Sequence, residues 1–181
     1  MTTRIAETFN GTRVTILTPV PYEVVLERLN KDIGGSVPIE SLGELASKGQ
    51  AAWTDYFTKK VGRFGFTQFY DINHTWVSLY GVGNGRKMKR IILGNPLIAI
   101  TMLEHDLNAG IYVPVELLLK EKEDSGQGTE VVYYLPSSLI AGVNKDEKLQ
   151  VAANMLDQKF EALISYITQE MNKDGEEQKI P

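Results

Sequence analysis

The stretch Ile91-Ile92-Leu93-Gly94-Asn95-Pro96-Leu97-Ile98-Ala99-Ile100 decides the fold of this chain. Its first three residues predict a buried strand, the Gly-Asn pair predicts a turn, and proline is typical of the first position of a helix. The N–H groups at a helix start lack partners within the helix, so such a junction can hold an anion or a polarised oxygen. We therefore expect a candidate site at the Gly94–Pro96 turn.

Towards the N-terminus, the pattern predicts one strand followed by two helices. Residues 13–18 alternate and are rich in β-branched residues, which predicts a first strand. Residues 22–32 have a helical apolar face that ends at a Gly-Gly pair. Ser41, with Glu44 three residues later, has the arrangement of a capping box, and apolar residues at helical spacing continue to Phe57. The pair Trp53 and Phe57 is interpreted as core.

Between these helices and the decisive stretch, residues 66–79 carry strand propensity and are predicted to be extended. Residues 81–86 include three glycines, as in phosphate-binding loops. However, Arg86 stands where a dinucleotide-binding loop needs glycine, and no helix follows. We therefore interpret this segment as a loop or hairpin turn.

Towards the C-terminus, the helix that starts at Pro96 is expected to run to about His105. Residues 112–121 alternate and predict a strand, which a hairpin loop at 123–128 connects to a further strand at 129–135. A final helix is predicted from about residue 146 to 169. Its apolar stripe is Leu149, Ala152, Leu156, Phe160, Leu163 and Ile167, broadened by Val151 and Met155.

This order of elements predicts an α+β fold, with a curved antiparallel sheet, helices packed on one face and one short helix inserted between strands. Residues 1–171 are expected to form a single domain, in which residues 1–11 are a loose lead-in. Residues 172–181 are charged and poor in apolar residues, so we expect a disordered tail.

Composition excludes several classes of protein. The net charge of −4 and the pI near 5.3 argue against a nucleic-acid partner, because neutralising phosphates requires clustered Lys and Arg. The absence of cysteine excludes disulfides and thiolate sites, and it fits a reducing compartment. We find no signal-peptide pattern and no apolar run long enough for a membrane span, so we expect a cytoplasmic protein without a membrane partner.

The segment from Asn73-His74 through Gly94-Asn95-Pro96 to Val113-Pro114-Val115, with residues 133–136 and the closing helix, resembles the Domain-of-Unknown-Function 302 family over roughly residues 12–168. The likeness is closest to fungal members, in which Ile-Leu-Gly-Asn-Pro-Leu-Ile-Ala-Ile-Thr-Met and Leu-Pro-Ser-Ser-Leu recur in nearly this form. The resemblance implies a fold of the TATA-binding-protein-like class, with a strand, a helix, four strands and a helix. It also implies a homodimer.

The family's usual Asp-His pair maps onto Asn73 and His74, where asparagine replaces the aspartate. The neighbouring residue therefore offers no carboxylate that would orient the imidazole and raise its basicity. His74 is either a site residue that faces a cleft or a polar residue satisfied at a strand bend or dimer contact.

Three candidate catalytic residues follow: His74, Asn95 and Glu116. Asn95 is interpreted first as the helix cap, although it is also placed to present its amide to a ligand. Glu116 would move protons if it were buried without a partner, but we favour a solvent-facing carboxylate because Lys120 shares its face. Candidate ligand-binding residues are Gly94, Trp76, Tyr80 and Tyr134, although strand aromatics are more often core.

Metal and nucleophile sites are not supported. The two histidines are thirty-one positions apart in the numbering, at His74 and His105, and have no ligand spacing. No nucleophile-elbow pattern occurs, and Ser137-Ser138 is expected in a loop after a strand. We predict no metal and no cofactor.

Three functions remain open. We favour a binding module for a small, mainly apolar molecule held in a cleft between sheet and helices. The alternative is a cofactor-free enzyme for proton transfer, cyclisation, isomerisation or hydrolysis, with His74 as acid or base and the Gly94–Leu97 N–H groups as an oxyanion site. The third is a purely structural homodimer. The first two assume that His74 and the helix tip share one hollow.

Overall fold

The computed structural model describes residues 1–123 and 127–170. Within these residues the chain forms five strands and six α-helices, with short 3₁₀ turns between some of them. The strands are β1 (Arg13–Thr18), β2 (Thr67–Asn73), β3 (Met88–Gly94), β4 (Val115–Glu121) and β5 (Thr129–Tyr134). The helices are α1 (Tyr22–Asp32), α2 (Leu42–Ser47), α3 (Gln50–Lys60), α4 (Pro96–Leu103), α5 (Pro136–Ile140) and α6 (Glu147–Thr168).

The strands form one sheet in the order β1-β5-β4-β3-β2, and every neighbouring pair is antiparallel. The predicted α+β class with an antiparallel sheet is therefore confirmed. The order of strand, helix, four strands and helix is also present. Helices α2 and α3 lie between α1 and β2, α4 lies between β3 and β4, and α5 precedes α6. The helix of five residues at 136–140 occupies the segment that we predicted to be a loop.

One face of the sheet is buried and the other is open. In β4 the side chains of Val115, Leu117 and Leu119 are buried, because alternate residues of a strand point to the same side. On the opposite side, the outer face, Leu17 and Tyr134 are exposed. Helices therefore cover the sheet on one face, as predicted.

The predicted stripe of α6 forms much of the core. All six of its residues from Leu149 to Ile167 are buried, but Val151 and Met155 are exposed, so they do not broaden it. Asp146 caps the helix by accepting the Leu149 N–H at 2.9 Å. At the other end, Nη1 of the buried Arg28 donates to the carbonyl oxygens of Ile167 and Gln169, which ties α1 to the last turn of α6.

The predicted second helix is two helices. Gly49 has φ of 90°, in the left-handed region that glycine tolerates, and it separates α2 from α3. The predicted capping box is wrong, because Ser41 has helical backbone angles and its hydroxyl donates to the Pro38 carbonyl at 2.8 Å. Glu44 instead pairs with Lys48 at 2.8 Å.

The predicted extended segment 66–79 is wrong beyond Asn73. The Asn73 side chain accepts the Thr75 N–H at 2.9 Å, and residues Thr75–Tyr80 form 3₁₀ turns. Strand propensity depends on packing against neighbouring strands, and here the chain leaves the sheet before Trp76. The predicted strand at 112–121 begins three residues later than expected, at Val115.

Two glycines allow a close crossing of the backbone, which we call the glycine crossing. A Cβ atom at Gly34 would lie 1.5 Å from the Lys60 carbonyl oxygen, and one at Gly62 would lie 2.0 Å from the Asp32 carbonyl oxygen. The N–H groups of both glycines donate to the Phe66 carbonyl oxygen, at 3.0 and 2.8 Å. The crossing therefore joins the end of α1, the end of α3 and the start of β2.

The chain before β1 has no regular secondary structure, although Phe9 packs edge-on against Tyr112 with ring centroids 6.1 Å apart. The predicted disorder of residues 172–181 lies outside the described residues, as does part of the predicted hairpin loop. In the described part of the chain, no helix combines the length and apolar character that crossing a membrane requires.

Candidate functional site

The Gly94-Asn95-Pro96 turn connects β3 to α4 as predicted. Asn95 has extended backbone angles, its Oδ1 accepts the Leu97 N–H at 2.9 Å, and its Nδ2 donates to the Gly65 carbonyl at 3.0 Å. The cap predicted for Asn95 is therefore confirmed, and the same side chain also fixes the loop before β2.

The start of α4 has few groups left for a ligand. Pro96 has no N–H, the Leu97 N–H is bound by the Asn95 side chain, and the N–H groups of Ile98 and Ala99 donate to the Asn95 carbonyl at 3.0 and 2.9 Å. Residues 96–99 thus offer no free backbone donor to an anion. The helix tip acts as a wall and not as an oxyanion site.

A cavity of about 320 Å³ lies beside this turn, and we call it the α4 cavity. The buried side chains of Phe66, Met102, Val115 and Leu156 form its floor. Its walls come from α3, α4 and β2, through residues that include Trp53, Ala99 and Phe69. Leu42 of α2 and the exposed Pro114 belong to its lining near the surface.

Aromatic rings stiffen one wall of the α4 cavity. The rings of Trp53 and Phe57 have centroids 5.0 Å apart, and Phe57 stacks with Phe69 at 6.3 Å. Phe57 is fully buried, which confirms its predicted place in the core. Trp53 is only half-buried and lines the cavity, so the core interpretation missed its role.

Gly94 brings two chain segments together at this cavity. A Cβ atom at this position would lie 2.9 Å from Cβ of Pro114, so glycine lets the turn approach the start of β4 closely. Gly94 and Asn95, which we predicted as site residues, both line the α4 cavity.

His74, Glu116 and Tyr134 line a different depression, the sheet groove, on the outer face of the sheet. It has a volume of about 380 Å³ and also includes Arg90 and Val132. Glu116 accepts a hydrogen bond from Nε of Arg90 at 2.6 Å and pairs with Nη2 of the same guanidinium. It is therefore a paired surface carboxylate, as we favoured from the sequence.

Trp76 and Tyr80 lie on the 3₁₀ turns next to His74. Trp76 is 53% exposed and Tyr80 is 77% exposed, so neither is a core residue. The His74 and Trp76 rings have centroids 6.3 Å apart, and those of Trp76 and Tyr80 are 6.2 Å apart. Neither aromatic residue lines the α4 cavity or the sheet groove.

The expectation that His74 and the helix tip share one hollow is wrong. The His74 N–H donates to the Met88 carbonyl at the start of β3, whereas Gly94 ends that strand. Seven residues of strand separate the two ends by about 20 Å. His74 and Gly94 are only twenty positions apart in the sequence, but they lie at opposite ends of β3.

Two buried side chains, those of Tyr133 and Asp157, have raised pKa values. Burial raises the pKa of Tyr133 to about 12, and the nearby Glu161 carboxylate adds to this effect. Burial also raises the pKa of Asp157, although hydrogen bonds from Ser137 oppose the change. Neither side chain has a place in the wall of the α4 cavity. Among residues 1–123 and 127–170, no group of three or more His, Asp or Glu side chains is placed to hold a metal ion.

Comparisons with known proteins agree with this fold. The crystal structure of an uncharacterized conserved DUF302 protein from Bacillus stearothermophilus is similar, with a TM-score of 0.57 and 16% sequence identity. The match covers 87% of this chain and 98% of that chain, and at this identity it shows the shared fold alone. No curated protein matches the chain.

The family model described as domain of unknown function DUF302 matches residues 46–167. The matched part begins at the end of α2 and ends at the last turn of α6, so it includes four strands of the sheet, α4 and nearly all of the α4 cavity. It makes up about two thirds of the 181 residues. The chain belongs to the DUF302 family.

Proposed function

We propose that this protein binds a small, mainly apolar molecule in the α4 cavity. The observation that carries the proposal is the cavity itself, about 320 Å³ of space between the sheet and the helices with almost wholly apolar walls. A cavity of about 150 Å³ holds benzene in another protein, so by scaling this one suits a molecule of about a dozen non-hydrogen atoms.

The energetic cost of an unfilled apolar cavity supports the proposal. Apolar side chains around an unfilled cavity lose dispersion contacts, which lowers the free energy of unfolding. A ligand that fills the space restores those contacts and binds only the folded chain. It therefore stabilises the fold by mass action, more strongly as its concentration rises.

Gly94 and Asn95 would act as positioning residues in this function. Asn95 holds the turn through its bonds to Leu97 and Gly65, and Gly94 allows the turn to approach Pro114. The aromatic wall with Trp53 would contact the ligand over a large area, because aromatic side chains present large rigid surfaces.

Trp53 offers a direct test. The chain has two tryptophans, and only Trp53 lines the α4 cavity, so Trp76→Phe leaves a single reporter at the site. We expect neutral apolar compounds of about a dozen non-hydrogen atoms to change the fluorescence of this variant and to raise its melting temperature. In the converse variant Trp53→Phe, the fluorescence of Trp76 should not respond.

A matched pair of substitutions locates the binding. Ala99→Leu adds three carbon atoms to the wall of the cavity and should weaken binding at least tenfold, whereas Ala51→Leu makes the same change at an exposed position of α3. Equal affinity in both variants would contradict the proposal. A ligand-induced fluorescence change that comes from Trp76 instead of Trp53 would contradict it as well.

The family resemblance implies a homodimer, and we also propose that the second copy of the chain covers the outer face of the sheet. Leu17 on β1, Tyr134 on β5 and Tyr70 on β2 are exposed on this face, and the half-buried Leu118 and Val132 lie between the two edge strands. Exposed apolar surface of this kind commonly marks interfaces. On this face Arg90 pairs with Glu116 and Lys120 pairs with Glu130, so that, with Arg13 beside them, the charges nearly balance and do not favour a strongly charged partner.

The size of this face suits self-association. Strands spaced about 4.8 Å apart and about 20 Å long give a five-stranded face of roughly 500 Å². His74 lines the sheet groove and its ring lies 6.3 Å from that of Trp76, so we expect the exposed side chains of residues 76–82 to add to this face towards the roughly 800 Å² per partner of a standard interface.

Sedimentation equilibrium tests this second proposal. We expect a dimer at micromolar concentration, which Leu118→Lys on β4 of the outer face should convert to a monomer. Val151→Lys is the control, because Val151 is exposed on α6, away from the sheet. A wild-type chain that stays monomeric at about 100 μM, where interfaces of this size commonly associate, would refute it.

An enzyme that combines His74 with the helix tip does not fit this structure, because the two lie at opposite ends of β3 and line separate depressions. Acid or base catalysis by His74 alone stays an alternative prediction. No side chain in the described residues makes a hydrogen bond that orients its imidazole, and the Asn73 side chain is engaged with Thr75. The cytoplasmic location, the fungal affinity and the TATA-binding-protein-like fold class also stay predictions from the sequence.

A further inference from the structure

The walls of the α4 cavity carry no titratable side chain. Their polar side chains are those of Asn95 and Trp53. An ion inside the cavity would therefore lose water without gaining a counter-charge, which disfavours binding of the charged form.

The lining has few side-chain groups that can form hydrogen bonds. The Asn95 amide bonds to Leu97 and Gly65, and Pro96 and Pro114 have no N–H to offer. In the part of the chain that the structure describes, the indole N–H of Trp53 has no hydrogen-bond partner. The lining thus offers one unengaged side-chain donor.

We propose that the α4 cavity selects neutral molecules of largely hydrocarbon character, with at most one hydrogen-bonding group, and rejects the ionised forms of the same skeleton. This inference rests on the proposed function, since it names the class of ligand that the cavity takes. It disfavours fatty-acid anions, ammonium ions and phosphate esters relative to neutral molecules of the same skeleton.

The selection has a consequence for weak acids. A carboxylic acid enters the cavity in its neutral form, so its apparent affinity falls as pH rises through its own pKa. A neutral alcohol of the same skeleton has no such dependence, because the lining itself does not titrate.

Three probes with one skeleton test the inference: 4-tert-butylcyclohexanol, 4-tert-butylcyclohexanecarboxylic acid and 4-tert-butylcyclohexylamine. They do not absorb where tryptophan does, so the fluorescence of Trp53 in the Trp76→Phe variant reports binding directly. At pH 7 we expect the alcohol to bind at least about tenfold more tightly than the carboxylate or the ammonium, even if the charge stays partly hydrated at the opening. On lowering the pH, the acid should gain affinity in proportion to its neutral fraction.

The outcomes separate the two proposals. Equal affinity for the alcohol and the two ions overturns the neutral-ligand inference and leaves the proposed function standing. No response to the alcohol overturns the proposed function, and the inference falls with it.

A substitution at the opening provides a gain-of-function test. Leu42 lines the cavity from α2, a helix that buries none of its residues, so a change there does not remove a core contact. Leu42→Lys should improve binding of the carboxylate relative to the alcohol and weaken binding of the ammonium. Leu42→Gln, which is polar but uncharged, should leave the ratios unchanged. If both variants shift the ratios alike, charge is not what the cavity selects against.

Discussion

At the scale of single residues, local chemistry was predictable where neighbours in sequence determine it. Asn95 before Pro96 predicted a cap, and the side chain does accept the Leu97 N–H. Ser41 before Glu44 predicted a capping box, but Pro38 places a turn there and its carbonyl takes the Ser41 hydroxyl instead. The bond from Asn95 to Gly65 joins residues thirty positions apart, which no local pattern encodes.

The double role of Asn95 gives the first prediction. Asn95→Ala removes the cap and the bond to Gly65, so we expect the free energy of unfolding to fall by about 2 kcal/mol in urea titrations. Asn95→Ser keeps a capping oxygen but is too short to reach Gly65, and it should lose about half as much. If serine costs as much as alanine, the cap is not the source of the stability.

At the scale of elements, the long periodic segments were predictable and their ends were not. The predictions of β4 and of the apolar stripe of α6 each depend on many residues that follow one pattern, and both are confirmed. Trp76, Val77 and Tyr80 favour strands on average, but the Asn73 side chain starts a turn before them. The Gly-Gly pair that begins at Gly34 was interpreted as a helix stop, and the structure gives a further reason for Gly34 and for Gly62, the close crossing of two backbones.

The glycine crossing gives the second prediction. Gly34→Ala places a Cβ atom where the Lys60 carbonyl lies, so the two segments must separate, at a cost of about 3 kcal/mol or more. The same substitution at Gly43 is the control, because that position lies in α2 with open space around its Cβ. Gly43→Ala should raise stability by about 0.5 kcal/mol. Thermal and urea unfolding of both variants measure the contrast, and similar effects at the two positions would disprove the role of the crossing.

At the scale of the whole molecule, the fold class was predictable but the grouping of site residues was not. Element order fixed the sheet with its helices, whereas the distance between His74 and Asn95 depends on the length and pairing of β3. His74 therefore lines the sheet groove, whereas Gly94 and Asn95 line the α4 cavity. The α4 cavity could not be derived from the sequence, because its walls come from segments that only tertiary packing brings together.

The pH dependence of stability gives the third prediction. Burial raises the pKa of Asp157 above its ordinary value of 3.8 in the folded chain, so folding favours the protonated form. Its stabilising contribution is present below pH 3.8 and is lost as pH rises through the raised pKa. Asp157→Asn stays neutral and keeps Oδ1 as acceptor for the Ser137 N–H, which Asp157 accepts at 2.8 Å.

The stability of Asp157→Asn relative to the wild type should therefore increase as pH rises above 3.8, as measured by urea unfolding between pH 3.5 and 7. Asp55→Asn, at an exposed position of α3, controls for the loss of a surface charge. A difference between Asp157→Asn and wild type that does not change with pH would show that burial of this carboxylate has no energetic effect.

The short helix α2 bears on how the family could diversify. It contributes Leu42 to the α4 cavity, yet none of its six residues is buried. The hydrophobic core therefore places little constraint on its sequence, and mutations there would be nearly neutral for folding. Related chains can keep the same sheet and long helix and yet bind different molecules, through changes confined to this helix of six residues.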